Sequence, residues 1–194
     1  LGWSDGNSFI PVNHCLLSAA DDKNLLCNAE SFDGRSLAGK RRKQSRCKAT
    51  EVMLDLIKTA QQSGLTAKYV LFDSWFTSPK SIVALKQERK LDVIAMAKKS
   101  SKVKYAYQGE LLDIKKIYSK NRKRRGRSKY LLSIEVTVGT EEIPAKIVFV
   151  RDKSKKKDWL AIISTDTSLS EEEIIRVYGK RWDIEVFFKS CKSY

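Results

Sequence analysis

Apolar residues recur at helical spacing in several segments of the chain. Gly64 is suited to cap the first predicted helix, Pro79 to begin the second, and Ser170 with Glu173 forms a capping box for the third. The predicted helices therefore cover residues 49–63, 79–90 and 170 to the end of the chain.

Other segments carry the shorter apolar or alternating runs that are typical of strands. The run at 68–72 ends in Asp73 and indicates a central strand that is covered on both faces. Residues 18–47 show neither pattern and predict an irregular connection. The predicted strands cover residues 8–17, 68–72, 91–97, 131–138, 145–150 and 159–164.

The order of these elements predicts an α/β protein. Strands alternate with helices up to residue 97, whereas the region 98–168 is rich in strands, basic, and expected to be antiparallel. We therefore divide the chain into a core at 1–97, a β-rich basic insertion at 98–168, and a last helix of the core at 169–194.

Charge changes this picture more than any other property of composition. The 194 residues carry a net charge of +15, which favours a polyanionic partner, nucleic acid first. One basic cluster alone is typical of a solvated loop, but four together favour contact with phosphates. The clusters lie at 40–48, 98–104, 115–129 and 153–157, and composition does not separate DNA from RNA or from an acidic membrane surface.

Several other classes of protein are not expected. No apolar run approaches the ~20 residues that cross a bilayer, and residues 1–5 do not resemble a secretion signal. The four cysteines form no C-x2-C pair and are expected to be reduced thiols of a cytosolic protein. His14 is the single histidine and is expected to be structural within its strand, so histidine-based catalysis and a zinc site are not expected.

The last predicted helix carries a second polar face among apolar neighbours. At about 100° per residue, Tyr178, Arg181, Glu185 and Lys192 share one stripe. Such a face needs a charged partner or a water-filled cleft, or else Arg181 and Glu185 form a simple salt bridge one turn apart. Both readings stay open, and Arg176, Lys180 and Asp183 are expected to form the water-facing edge.

Asp73 supplies a carboxylate at the end of a strand. In α/β sheets such an end opens into the crevice where functional sites lie, although an Asx turn into Ser74 is the simpler explanation. Carboxylates on a basic protein indicate Mg²⁺ chemistry on phosphodiesters, with one ion activating the attacking oxygen and a second stabilising the leaving oxygen.

These residues carry a resemblance to a known family. The spacing Tyr178-x2-Arg181-x3-Glu185-x6-Lys192 resembles the signature of a subgroup of DDE transposases of bacterial insertion sequences. Residues 69–76 are similar to the strand with that family's second catalytic Asp, and residues 2–12 to the strands after its first. The resemblance implies an RNase H-like core, a mixed sheet with flanking helices and a β-rich insertion before the last helix.

The resemblance also implies roles for single residues. Asp73 and Glu185 would be the catalytic metal ligands for two Mg²⁺ (or Mn²⁺) ions. Tyr178, Arg181 and Lys192 would bind phosphates of the transposon end, and Trp182 would pack beside them. Trp159 would stack on an unpaired base, as in relatives that use a DNA hairpin, although a core tryptophan is the simpler interpretation.

The family's first catalytic Asp is expected in an opening strand that this sequence does not contain. Asp5 is the only nearby candidate, and its Asp-Gly setting indicates a turn. We therefore expect an N-terminally truncated catalytic domain with one metal ligand missing and with little or no catalysis.

The expected function of the intact protein is DNA transposition. It would nick DNA and join the freed 3′-hydroxyl to target DNA, with transposon ends and target as partners, as a cytoplasmic, nucleoid-associated bacterial protein that is compatible with a homodimer. Two alternatives stay open. One is a non-enzymatic basic nucleic-acid-binding module in which the Arg181–Glu185 pair is structural, and the other is a host nuclease that releases nucleotides without joining ends.

Overall fold

A computed structural model describes residues 1–25, 33–124, 128–155 and 158–193. The chain divides into two compact units, and each is described by itself. The first contains Leu1–Trp3 and Ile10–Thr66, and the second contains Ser4–Phe9 and Ala67–Tyr194. Two short strands, β1 (Gly2–Ser4) and β2 (Phe9–Pro11), form a separate two-stranded sheet.

The strand predicted at 8–17 is wrong beyond Pro11. Proline has no N–H to donate to a sheet, and β2 ends there. The following amides of Val12 and Asn13 both donate to the carbonyl of Leu1 instead. His14 consequently lies outside any strand and is exposed, so its predicted place inside an apolar strand is also wrong.

The first unit is helical where the sequence predicted an irregular segment. Helix α1 (Leu37–Ser45) lies within 18–47, after a 3-10 turn at Asp22–Asn24. Ser36 caps α1 by accepting a hydrogen bond from the Gly39 amide at 3.1 Å. The lysines and arginines of α1 favour a helix but leave no apolar face that the pattern could reveal. Helix α2 (Ala49–Gln62) follows as predicted and buries Val52 and Ile57.

The described residues of the second unit form a mixed sheet of seven strands. Its strands are β3 (Tyr69–Phe72), β4 (Asp92–Met96), β5 (Lys104–Tyr107), β6 (Glu110–Asp113), β7 (Leu132–Val138), β8 (Ile143–Arg151) and β9 (Trp159–Ser164). They lie in the order β3-β4-β9-β8-β7-β5-β6; β3 and β4 are parallel, and the other pairs are antiparallel. Within the described residues β3 is therefore an edge strand, and the prediction of a central strand covered on both faces is wrong.

In the described part of the chain, four helices accompany this sheet. They are α3 (Pro79–Val83), which continues into a π-helical turn at Ala84–Glu88, α4 (Ile114–Lys120), α5 (Glu171–Gly179) and α6 (Asp183–Lys192). Helix α4 was not predicted. The Asp113 carboxylate caps it by accepting from the amides of Lys115 and Lys116 at 3.0 Å each, and Ile114 and Ile117 are fully buried.

The single long helix predicted from Ser170 is wrong, because it breaks into α5 and α6. The capping box at Ser170 and Glu173 forms as predicted. After Gly179 the backbone tightens into a 3-10 turn, Lys180–Trp182, before α6 begins. Three residues at the 3-10 pitch turn about 60° further than three residues of an α-helix. Side chains of α6 therefore point in other directions than a straight helix would give.

Helix α5 covers one face of the sheet. Its Ile174 and Tyr178 pack on Ile94, Val148 and Ile162, which come from β4, β8 and β9. The fold is thus a mixed α/β sheet with flanking helices, as predicted, and the strands predicted within 98–168 join the same sheet as β3 and β4. Within the residues that the structure describes, no helix is both long and apolar enough to span a membrane.

Candidate active site

Asp73 follows the last residue of β3 and is exposed. Its Oδ1 accepts a hydrogen bond from the Trp75 amide at 2.9 Å, which is the Asx turn that the sequence allowed as an alternative. The buried Thr77 hydroxyl lies 2.9 Å from the Asp73 carbonyl oxygen and 2.7 Å from that of Met96. The loop is therefore anchored to β4, and Asp73 Oδ2 has no partner in the described part of the chain.

Glu185 lies on the first turn of α6. Its Oε1 accepts from Arg181 at 2.7 Å, across the 3-10 turn, and their side chains are 39% and 21% exposed. The salt bridge that the sequence allowed is therefore formed. It links the 3-10 turn to the first turn of α6 and holds the guanidinium beside Glu185.

Tyr178 is the residue around which these groups meet. Burial raises the pKa of its hydroxyl, Arg181 lowers that pKa, and the carboxylates of Asp73 and Glu185 raise it further. The guanidinium carbon of Arg181, which binds Glu185, lies 5.8 Å from the centroid of the Tyr178 ring. The turn Lys180–Trp182 also lies against β3, the strand that leads into Asp73. The structure therefore brings together Asp73, Tyr178, Arg181 and Glu185.

Two donors at this place have no acceptor. The Tyr178 hydroxyl and the Arg181 Nε are buried, and neither donates a hydrogen bond within the described residues. The Arg181 guanidinium interacts with the oxygen of the hydroxyl, which is one cause of the lowering of its pKa by Arg181. A buried donor without a partner costs about 1–3 kcal/mol. Both groups could donate to an anionic oxygen that approaches the site from outside.

The other predicted site residues are Lys192, Trp182 and Trp159. Lys192 is exposed at the last residue of α6, and Trp182 is 59% exposed with its ring 6.0 Å from the Arg181 guanidinium carbon. Trp159 stacks on Tyr118 with ring centroids 4.5 Å apart, and the Lys99 ammonium lies 4.2 Å from its centroid. The Trp159 ring thus already has aromatic and cationic partners.

The two carboxylates suit a hard divalent cation. Mg²⁺ prefers oxygen ligands and is usually held by one or two carboxylates, with waters and substrate phosphates completing its shell. Asp73 offers its free Oδ2, and Glu185 offers the oxygen that Arg181 does not bind. Together they could hold one or more such ions once a phosphate is present.

No third carboxylate completes this pair within residues 1–25, 33–124, 128–155 and 158–193, where no group of three His, Cys, Asp or Glu side chains is placed to hold a metal ion. Asp5 lies in the turn between β1 and β2. Its Oδ1 accepts from the amides of Ser8 at 2.7 Å and Asn7 at 2.8 Å, and these bonds lower the pKa of Asp5. Asp5 therefore forms the turn that its Asp-Gly setting predicted.

A cationic cavity lies elsewhere on the sheet. It has a volume of about 380 Å³, and its lining includes Arg122, Arg124 and Lys146, with Glu135 and Glu171 beside them. The row Phe72, Ala95, Ile163, Ile147, Ile134 crosses from β3 to β7. This row spans four strand spacings. Its last residue, Ile134 on β7, therefore lies about 19 Å from its first residue, Phe72, which precedes Asp73.

Part of the predicted basic surface contributes to this cavity. Arg122 and Arg124 belong to the cluster at 115–129, and the Arg124 guanidinium lies 4.3 Å from the centroid of the Tyr130 ring. Residues 125–127 and 156–157 of the basic clusters, and Cys27, lie outside the described residues. Cys15, Cys47 and Cys191 are free thiols, as predicted.

Lys180 and Asp183 are not the water-facing edge that the sequence predicted. Lys180 Nζ donates to the Gly6 carbonyl, and Asp183 Oδ2 accepts from the Ser4 hydroxyl at 3.4 Å. No local pattern signals these contacts, because their partners lie more than 170 residues away.

A comparison with protein families completes the description of the site. A family model described as a transposase DDE domain matches residues 34–194, which include Asp73, Tyr178, Arg181, Glu185 and Lys192. The comparison with curated proteins finds no match.

Proposed function

The chain belongs to the family of transposase DDE domains, and from this premise we propose that it forms the DNA-cleaving and strand-joining centre of a bacterial insertion-sequence transposase. Domains of this family act on DNA in transposition and use divalent metal ions. The observation that carries the proposal is the convergence of Asp73 and Glu185 on Tyr178 and Arg181.

The proposed reaction has two steps of in-line displacement at phosphorus. In the first, water attacks a phosphodiester and loses a proton, the bond from phosphorus to the 3′-oxygen breaks, and that oxygen takes up a proton. In the second, the freed 3′-hydroxyl attacks a target phosphodiester and loses its proton, and the displaced 3′-oxygen takes up a proton. Two bound Mg²⁺ or Mn²⁺ ions would activate the attacking oxygen and stabilise the leaving oxygen.

The residues of the site divide into two proposed roles. Asp73 and Glu185 hold the divalent cations through carboxylate oxygens. Tyr178 and Arg181 donate to phosphate oxygens, which is supported by the two buried donors that have no acceptor in the described structure. Lys192 and Trp182 contact the same DNA end, and Trp159 stacks on a base if its partner Tyr118 moves aside.

The wider surface supports the choice of DNA as the partner. The net charge of +15 and the cationic cavity beyond α5 supply phosphate contacts that do not depend on base sequence. We further propose that the protein acts on transposon ends and target DNA as a homodimer associated with the bacterial nucleoid in the cytoplasm.

We propose that these 194 residues bind DNA and metal but support little strand cleavage. A pair of carboxylates is one ligand short of the family's set of three, and Asp5 already forms a turn. Little or no nicking of supercoiled plasmid in Mn²⁺ is the expected result. Nicking as fast as by an established transposase would contradict this part of the proposal.

Metal binding tests the assignment of the two carboxylates directly. In titrations of the protein with Mn²⁺ in the presence of duplex DNA, Glu185→Gln and Asp73→Asn should each weaken binding by about tenfold or more, because each removes a charged oxygen ligand. The matched control is Glu51→Gln, an exposed glutamate of α2. Equal Mn²⁺ affinity of all four proteins would refute the metal site.

A non-enzymatic nucleic-acid-binding module is the second candidate function, and the formed Arg181–Glu185 ion pair favours it. In that case Glu185 is structural, and Glu185→Gln should lower stability while leaving Mn²⁺ binding unchanged. A host nuclease, the third candidate, would release nucleotides without joining ends. Analysis of products on a labelled duplex separates the joining and releasing activities.

A further inference from the structure

The turn between β1 and β2 is held by the segment that carries Glu185. Lys180 Nζ donates to the Gly6 carbonyl, and the Ser4 hydroxyl donates to Asp183 Oδ2 at 3.4 Å. Both hydrogen bonds are formed at the break between α5 and α6, where the backbone has 3-10 geometry. They therefore hold the helix at its least regular point.

An aromatic pair adds a third contact further along α6. The rings of Phe9 and Phe187 have centroids 5.7 Å apart at an interplanar angle of 42°. Tilted pairs of this kind contribute about 0.5–1.5 kcal/mol beyond the area that they bury. The turn is shaped for these contacts, because Gly6 adopts a φ of +97° that other residues rarely tolerate.

These contacts lie on the opposite side of the helix from the site. Lys180, Asp183 and Phe187 follow the spacing i, i+3, i+7, which places them along one face. Arg181 and Glu185 form a second face, turned away from the first by roughly 150°. One face thus binds the turn while the other presents the carboxylate and the guanidinium.

Helix α6 has little else to hold it. None of its described residues is buried, and Val186 and Phe188 are 52% and 54% exposed. A helix without buried side chains gains little from packing and opens easily. The position of Glu185 relative to Asp73 therefore depends on the contacts with Ser4–Phe9 and on the 3-10 turn against β3.

We propose that Lys180, Asp183 and Phe187 are positioning residues. By their contacts with the turn at residues 4–9, they hold the segment that carries Glu185 against the strand that leads into Asp73. The inference rests on the proposed function of these two carboxylates. Residues 4–9 would then help to assemble the metal site without binding the metal themselves.

Two neighbouring phenylalanines provide a matched test. The Phe187 ring pairs with Phe9 of the turn, whereas among the described residues the Phe188 ring pairs with Phe187 and with no ring of the turn. Mn²⁺ binding is measured with duplex DNA present, at a temperature where far-ultraviolet circular dichroism shows every variant folded. Phe187→Ala should raise the Kd for Mn²⁺ about tenfold, and Phe188→Ala should leave it unchanged. Phe187→Tyr, which keeps the ring, should restore binding.

A second pair tests the hydrogen bonds. Lys180→Met removes the ammonium that binds the Gly6 carbonyl, and Lys189→Met removes an exposed ammonium elsewhere on α6. We expect only Lys180→Met to weaken Mn²⁺ binding. A lowered melting temperature with an unchanged Kd for Mn²⁺ in Phe187→Ala and Lys180→Met would show a merely structural role and overturn the proposal.

Hydrogen exchange separates this failure from failure of the proposed function. If Glu185→Gln binds Mn²⁺ as well as the unmodified protein, the metal site itself is refuted. The contacts between α6 and the turn at residues 4–9 are then tested by amide exchange in α6, which should be faster in Phe187→Ala than in Phe188→Ala. Equal amide exchange in the two variants would show that these contacts do not stabilise α6 and would overturn the proposal as well.

Discussion

Arg181 binds Glu185 at 2.7 Å, and the same guanidinium keeps its buried Nε without a partner. An arginine has five N–H donors, so the ion pair leaves others free for a phosphate. A cation bound to Glu185 would take the place of Arg181 as its partner, and a phosphate bound to Arg181 would take the place of Glu185. The geometry thus favours binding of metal and DNA together over binding of either one alone.

Arg181→Gln should separate the two ligands. Without the guanidinium, Glu185 is released, so Mn²⁺ should bind a few-fold more tightly in the absence of DNA. Affinity for duplex DNA should fall, and the slope of log affinity against log salt should lose about 0.9 for the missing phosphate contact. Titrations with and without DNA measure both effects. Arg176→Gln, an exposed arginine of α5, should change neither, and weaker Mn²⁺ binding by Arg181→Gln without DNA would contradict the exchange.

Tyr178→Phe should affect binding but not folding. The Tyr178 hydroxyl is buried and donates no hydrogen bond within the described residues. Its removal takes a contact only from the Arg181 guanidinium, which keeps its ion pair with Glu185, so the free energy of unfolding should change by less than about 1 kcal/mol. The affinity for DNA should nevertheless fall about fivefold or more, because a phosphate loses a donor. Urea unfolding and fluorescence anisotropy provide the two measurements. A large loss of stability with unchanged DNA affinity would mean that the hydroxyl is structural.

Local signals predicted the elements that local chemistry determines. The capping box at Ser170 and the apolar run before Asp73 each correspond to an element that begins or ends where expected. Helix α1 escaped prediction because its exposed cationic side chains leave no apolar period. The break after Gly179 escaped it too, because one glycine is tolerated in most helices and tertiary contacts decide the outcome.

The candidate site was predictable only in part, for a similar reason. The helical spacing of Arg181 and Glu185 predicted their ion pair, and the position of Asp73 after a strand predicted its Asx turn. The contact between Ser4 and Asp183 joins residues far apart along the chain. Sequence periodicity carries no information about such pairs, so the contacts between α6 and the turn at residues 4–9 are visible only in the structure.

Asp166 should link stability to acid pH. A hydrogen bond from Ser168, opposed by burial and joined by bonds from Tyr69 and Lys68, lowers the pKa of Asp166 to about 2. The unfolded carboxyl has a pKa near 3.9, so the stabilisation, at most about 3 kcal/mol, is complete above pH ~5 and is lost as the pH falls towards ~2. Asp166→Asn should therefore lower the free energy of unfolding near neutral pH and lose this effect near pH ~2.

Urea unfolding at several pH values measures this difference, with Asp55→Asn, an exposed carboxylate of α2, as the control. The control should show no comparable pH dependence relative to the unmodified protein. A destabilisation by Asp166→Asn that is the same at pH ~2 and at pH ~6 would show that the network acts through packing alone.

The cavity beyond α5 should contribute phosphate contacts without affecting the metal site. Arg122 and Arg124 line it together with Ile134 of β7, and β7 lies about 19 Å across the sheet from β3, a span of about six base pairs at 3.4 Å each. Arg122→Gln with Arg124→Gln should reduce the salt slope by about 1.8 for duplexes that reach the cavity, and should not change Mn²⁺ binding. Shorter duplexes should not detect the change. Lys23→Gln with Lys58→Gln removes the same charge from other exposed positions, and an equal loss of slope in both double variants would mean that only net charge matters.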